Sequence, residues 1–179
     1  MIRDLQITDV APAGSVATAA DLARVEEQLG RLPRGVWAVG ARDVQGDPLV
    51  VVTQPRLPNG TPFPTLFYLT SPALVFACST LEAEHVMADM NQTIPDAYAS
   101  AHEDYLKRRS LLGEVPEISN FSAGGMPNRV KCLHALLAHT LAVGPGINPI
   151  GDQTLALINE RKLWDSSPDW SFHLGVTVQ

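Results

Sequence analysis

The stretch V-W-A-V-G-A-R-D-V-Q-G-D-P-L-V-V-V-T, Val36 to Thr53, decides how the chain folds. Val36 to Arg42 reads as a strand, and Leu49 to Thr53, rich in β-branched residues, reads as its partner. Asp43 to Pro48, with Gly46, is a connection of a few residues, so the two strands form an antiparallel hairpin. Downstream, Q-P-R-L-P-N-G-T-P-F-P is stiff and irregular, with a turn at Asn59-Gly60. A third strand follows from Thr65 to Thr70. Beyond it, and before Val36, the patterns turn helical. Ser71 caps a helix that has Pro72 at its first position and runs to about Met90. Another runs from Pro95 to about Leu112, stopped by Gly113. Upstream, Thr18 caps a helix from Ala19 to Leu29, closed by Gly30, with Leu22, Val25 and Leu29 as its apolar stripe. Strands cluster early and helices late. The expected fold is therefore α+β, a small mainly antiparallel sheet of about residues 36–70 covered by four to five helices.

Outward from that frame, residues 1–17 read as a flexible N-terminal tail, with Ile2 to Ile7 as a short strand. Residues 18–165 read as a single α+β domain. Residues 166–179 form a C-terminal extension, in which Trp170, Phe172, Leu174, Val176 and Val178 alternate with Ser171, His173, Gly175 and Thr177. That period of two describes a half-buried strand, able to join the hairpin sheet or to pair with another subunit.

Composition narrows the function classes. The chain of 179 residues has 45% apolar and 18% charged residues, an ordinary globular balance. Its net charge of −6 leaves no basic footprint for nucleic acid. Two cysteines, Cys78 and Cys132, make no disulfide framework and no zinc ribbon. There is no run of 18 apolar residues to cross a membrane and no apolar signal-peptide core, so the cytoplasm is the expected compartment. Nucleotide-binding, metalloprotease and nucleophile-elbow motifs are absent, and the residues imply no particular cofactor.

Chemistry concentrates in F-S-A-G-G-M-P-N-R-V-K-C-L-H-A-L-L-A-H-T-L-A-V-G-P-G-I-N-P-I-G-D, Phe121 to Asp152. Gly124 and Gly125 precede Pro127, which suits the first position of a helix running to about Ala142, with Gly144 at its end. Such a start attracts anions. Arg129 and Lys131 in its first turn oppose the helix dipole, which points to an anionic partner, a ligand or a structural carboxylate. Arg129 is the residue expected to be indispensable. Asn148 is the polar member of the following turn, and Asp152 reads as the cap of a last helix from Gln153 to about Leu163.

Catalytic candidates are Cys132, His134 and His102. On an unbroken helix Cys132 and His139 stand two turns apart and His134 about 200° from Cys132, so C-x-H-x4-H is a poor metal motif. A buried thiol and hydrogen-bonded core histidines are the plainer reading. His102 is the outside histidine best suited to pair with Cys132. On the preceding helix Tyr98, His102, Tyr105 and Arg109 share one face, either an anion-binding stripe or a polar seam packed on a neighbour. Glu82, Glu84 and Asp89 read as a solvated face, and His85 as a histidine at the core edge.

The Phe121–Asp152 stretch, together with L-P-N-G-T-P-F-P-T-L-F-Y-L-T-S-P (Leu57 to Pro72) and A-H-E-D-Y-L-K-R-R (Ala101 to Arg109), resembles the signatures of the family called domain of unknown function 501. The resemblance spans about residues 21–160. It implies a bacterial protein, from a family prominent in actinobacteria and without an established activity. Its members' genes often neighbour a septum-formation-initiator-like protein and an exopolyphosphatase-like enzyme. Many relatives read T-C-P where this chain has Thr70-Ser71-Pro72. Three functions are thus in view. One is binding of a small phosphate or carboxylate ligand by Gly124, Gly125, Arg129, Lys131, Tyr105, Arg109 and Asn148. The second is a protein-interaction module linked to cell division or polyphosphate metabolism, docking through Leu57–Pro64. The third is a metal or redox site at Cys132, with His134 and His139 as further candidate ligands.

Overall fold

The computed structural model describes residues 4–93 and 97–165. Its sheet has three antiparallel strands in the order β1-β2-β3, comprising β1 (Val36–Arg42), β2 (Pro48–Thr53) and β3 (Phe67–Leu69). Among the described residues seven helices surround it: α1 (Ile7–Val10), α2 (Ala19–Leu29), α3 (Pro72–Ala83), α4 (Val86–Thr93), α5 (Ala97–Ser110), α6 (Leu133–Val143) and α7 (Pro149–Glu160). The α+β expectation holds, with each strand within a few residues of its expected limits.

α6 is the centre of the core. Leu133, Leu136, Leu137, Leu141 and Ala142 are buried, and the helix packs on all three strands, on α3 and on α7. Gly151 lets α7 lie close against it. A Cβ at Gly151 would stand 2.2 Å from Thr140 Oγ1 and 2.3 Å from the Leu136 carbonyl oxygen.

Two caps form as their residues dictate. The Thr18 hydroxyl accepts from the Asp21 N–H while the Asp21 carboxylate accepts from the Thr18 N–H, a capping box at the start of α2. Ser71 caps α3 with Pro72 behind it. Gly30 closes α2 in the left-handed conformation.

Other expectations fail for local reasons. Within residues 4–17 part of the expected tail is held against the fold, although Leu5 and Val16 are exposed. Ile7 opens a helix instead of ending a strand, Val10 and Ala11 are fully buried, and Ser15 bridges to Val39 on β1. The helix expected from Pro72 to Met90 breaks at His85, which is exposed with φ 63°, giving α3 and α4. No helix starts at Pro127. Residues 124–132 are a loop in which the Gly124 and Gly125 carbonyls accept from the N–H groups of Lys131 and Arg129, and α6 starts only at Leu133. The last helix starts at Pro149, capped by Asn148, so Asp152 lies inside its first turn. There Asp152 accepts from Thr140 Oγ1 and the Gly146 N–H. The alternating stretch 170–178 lies outside the described residues.

Candidate functional site

The loop before α6 determines what Cys132 can reach. Cys132 is the N-cap residue, with extended backbone (φ −145°, ψ 111°), so the helical 200° separation from His134 does not apply. The His134 ring folds back beside the thiol, with Nδ1 3.7 Å from Cys132 Sγ. The same Nδ1 lies 3.1 Å from Glu82 Oε1. Glu82 comes from α3, and its Oε1 also accepts from the Leu133 N–H at 2.7 Å. On the far side of the ring, Nε2 is 3.1 Å from the Val75 carbonyl and 3.2 Å from Ser79 Oγ. A carbonyl only accepts, so the Nε2 proton is directed at Val75.

These neighbours set the charges. The Cys132 hydrogen bond is the largest effect on His134; burial opposes it, Glu82 adds to it, and the imidazolium persists to about pH 8. Burial pushes the Cys132 thiol up, but the His134 hydrogen bond and charge and the Ala135 amide outweigh it and hold it below the ordinary cysteine range. Cys78, fully buried one turn before Glu82, is pushed well up, by burial first and then by the charges of Glu82 and Cys132.

Cys132 and His134 open onto a cleft of about 610 Å³. Its walls come from α2 (Gln28, Leu29), β3 and α3 (Val75, Phe76, Ser79). Phe67, Tyr68, Leu69 and Thr70 all touch it. Successive strand residues point to opposite faces, so a cleft touched by four in a row lies at the strand's edge. β3 is one of the two outer strands of the described sheet.

The family model described as protein of unknown function, DUF501, matches residues 39–156. The chain belongs to this family. The matched span holds Glu82, Cys132, His134 and the whole of β3, so the cluster and the strand beside the cleft lie within the DUF501 domain. No curated protein and no solved structure matches the chain.

The other expected site residues of this DUF501 chain are dispersed. Arg129 and Lys131 are exposed on the loop, outside any helical turn, and neither forms an ion pair with a described residue. Gly124 and Gly125 adopt φ 65° and 93° and let that loop close on α6, where a Cβ at Gly124 would come within 2.8 Å of the Leu136 side chain. The α5 stripe is an internal seam. The Tyr105 hydroxyl accepts from the Leu66 N–H at 2.6 Å, and the buried Arg109 donates to the carbonyls of Pro64, Ile118 and Phe121. His102 Nδ1 pairs with Ser122 Oγ at 2.9 Å, so the histidine beside Cys132 is His134. Asn148 caps α7, and its Nδ2 donates to His139 Nδ1. His139 donates through Nε2 to Asp104 at 2.8 Å and stacks on Phe67, in the core and apart from the cluster.

Glu82 is the member that sequence reading misses, because its charge suggested a solvated face. Its spacing held the opposite signal. Leu74, Cys78 and Glu82 recur every four residues, so Glu82 continues the buried stripe.

Proposed function

We propose that the cleft along β3 is the binding site of this DUF501 protein, taking a ligand with a largely apolar body and a polar group that meets Cys132, His134 and Ser79. The observation behind this reading is the combination of a cleft of about 610 Å³, apolar walls and polar groups converging at one end. Phe76, 69% exposed on the α3 wall, is a large aromatic group whose exposure has a use if a ligand covers it. The lining includes no arginine or lysine, and its one cationic group, the His134 imidazolium, is already paired with Glu82, so the ligand class shifts from a small anion to a largely neutral molecule. A fragment library screened by NMR tests this. Binding should move the amide signals of Leu69, Phe76 and Ala135, and Phe76→Asp should abolish it while leaving the melting temperature within a few degrees. Fragments that bind only elsewhere, or not at all, would remove the reading.

A second reading follows from the strand edge. Thr53 N–H donates to Leu66 and Thr70 N–H donates to Leu49, so antiparallel alternation turns the backbone groups of Phe67 and Leu69 away from β2. The Phe67 N–H already donates to the Tyr105 hydroxyl at 3.3 Å, so the Phe67 carbonyl and the backbone of Leu69 are what the edge offers to an extended segment of a protein partner as an added strand. This would give the interaction-module function a concrete surface in place of the Leu57–Pro64 loop. Short peptides with alternating apolar residues, added to the same NMR experiment, separate the two readings. Peptide shifts confined to Phe67–Thr70 favour a protein partner, and shifts from compact fragments alone favour a small molecule.

A further inference from the structure

The geometry points to a divalent metal site of the zinc class, held by Glu82 through a carboxylate oxygen, Cys132 through Sγ and His134 through Nδ1. These ligand atoms all lie within 4.8 Å of one another. Sγ and Nδ1 are 3.7 Å apart, and Nδ1 and Oε1 are 3.1 Å apart. Tetrahedral coordination at zinc bond lengths of about 2.0–2.3 Å separates neighbouring ligand atoms by about 3.3–3.6 Å, so the two measured separations bracket the requirement.

The surrounding groups are arranged as metal ligands need them. A metal-bound histidine generally donates its other N–H to a carbonyl or carboxylate. Here His134 Nε2 faces the Val75 carbonyl, which leaves Nδ1 directed at Glu82 and Cys132. The Leu133 N–H orients the carboxylate. Thiolate, imidazole and carboxylate together suit a borderline-soft ion rather than magnesium or calcium. The three ligands come from two elements that α3–α6 packing already holds together, so the site is present in the folded chain. Cys132 and His134 line the cleft, whereas Glu82 is not among its lining residues. A fourth coordination position would therefore face the cleft, the arrangement of sites that act on a ligand rather than sites that only brace a fold.

This inference rests on the cleft reading for its open position, but not for the binding of the ion. The test is titration of the full chain with cobalt(II) chloride, followed by competition with zinc chloride. One cobalt per chain is expected, with a thiolate-to-cobalt absorption band in the near ultraviolet that zinc abolishes. Cys132→Ser should remove the band. Glu82→Gln and His134→Ala should each weaken binding by about 100-fold or more, beyond the loss typical of outer-shell changes. Cys78→Ser should leave the band in place. No cobalt binding by the wild-type chain would overturn the site, because the triad would then be only an imidazolium–carboxylate pair beside a thiol. So would binding without the thiolate band, or a band that survives Cys132→Ser. Failure here with fragments still in the cleft would remove the metal alone, and failure of the fragments with the cobalt band intact would remove the cleft reading alone.

Discussion

At the scale of single residues, two arginines exchange the roles their sequence positions suggest. Arg129 is exposed on the loop before α6 with no ion-pair partner among the described residues, whereas Arg109 is buried and donates to three backbone carbonyls. Arg129→Ala should leave the melting temperature nearly unchanged. Arg109→Met should cost about 1–3 kcal/mol by leaving buried acceptors without donors. Urea unfolding of both variants checks this, and equal losses would contradict it. A third arginine makes stability depend on acid. Arg42 holds the Asp21 carboxylate at 2.6 Å, and that hydrogen bond, opposed by burial and aided by Thr18, lowers the Asp21 pKa well below its ordinary value. A depressed carboxyl stabilises the fold above its unfolded pKa of about 3.9 and ceases to do so as pH falls through the folded value. Asp21→Asn should lower the melting temperature at pH 7 and flatten its fall below about pH 4. A variant with an unaltered acid profile would show that the pair contributes little. The pair was not legible beforehand, because Asp21 and Arg42 meet only once α2 lies against β2 and the β1–β2 connection, and no local pattern records that approach.

Among the elements, α6 shows best what sequence periodicity can and cannot supply. Its apolar run and its stop at Gly144 were legible, and so were the caps of α2 and α3, because each is a local rule of residue type and offset. Its start was not. Pro127 fits a helical first position, but the Gly124 and Gly125 carbonyls take up the Lys131 and Arg129 amides, respectively, and the chain stays in a loop until Cys132. That one displacement converts C-x-H from a poor helical metal motif into a pair of side chains in contact. It also removes the first-turn argument for Arg129. The close packing of α7 gives a separate prediction. Gly151→Ala would force a methyl group into Thr140 Oγ1 and the Leu136 carbonyl. Shifting α7 to relieve that overlap should cost about 1–3 kcal/mol. Thermal or urea unfolding measures it, and a neutral Gly151→Ala would mean that α7 slides on α6 without cost.

For the molecule as a whole, the sheet and the helices on it follow from patterning, whereas the site exists only in three dimensions. Cys132 and His134 come from the start of α6, Glu82, Ser79 and the Val75 carbonyl from α3, and the opposite wall from β3. Reading the sequence located the richest stretch, Phe121–Asp152, and two of its three convergent side chains. It left Glu82 out because α3 was divided into faces by charge and not by the packing of Cys78 and Leu81. No helix among the described residues is long and apolar enough to cross a membrane. On the reading proposed above, Cys132 lines a cleft that receives a ligand. Site-resolved mass spectrometry of iodoacetamide alkylation, with and without a cleft-binding fragment, tests it most directly. In native protein first freed of metal with a chelator, Cys132 should be alkylated while buried Cys78 reacts only on unfolding, and the fragment should slow Cys132 in proportion to its occupancy. Equal reactivity of the two thiols, or a Cys132 rate indifferent to bound fragment, would mean that Cys132 does not face the ligand.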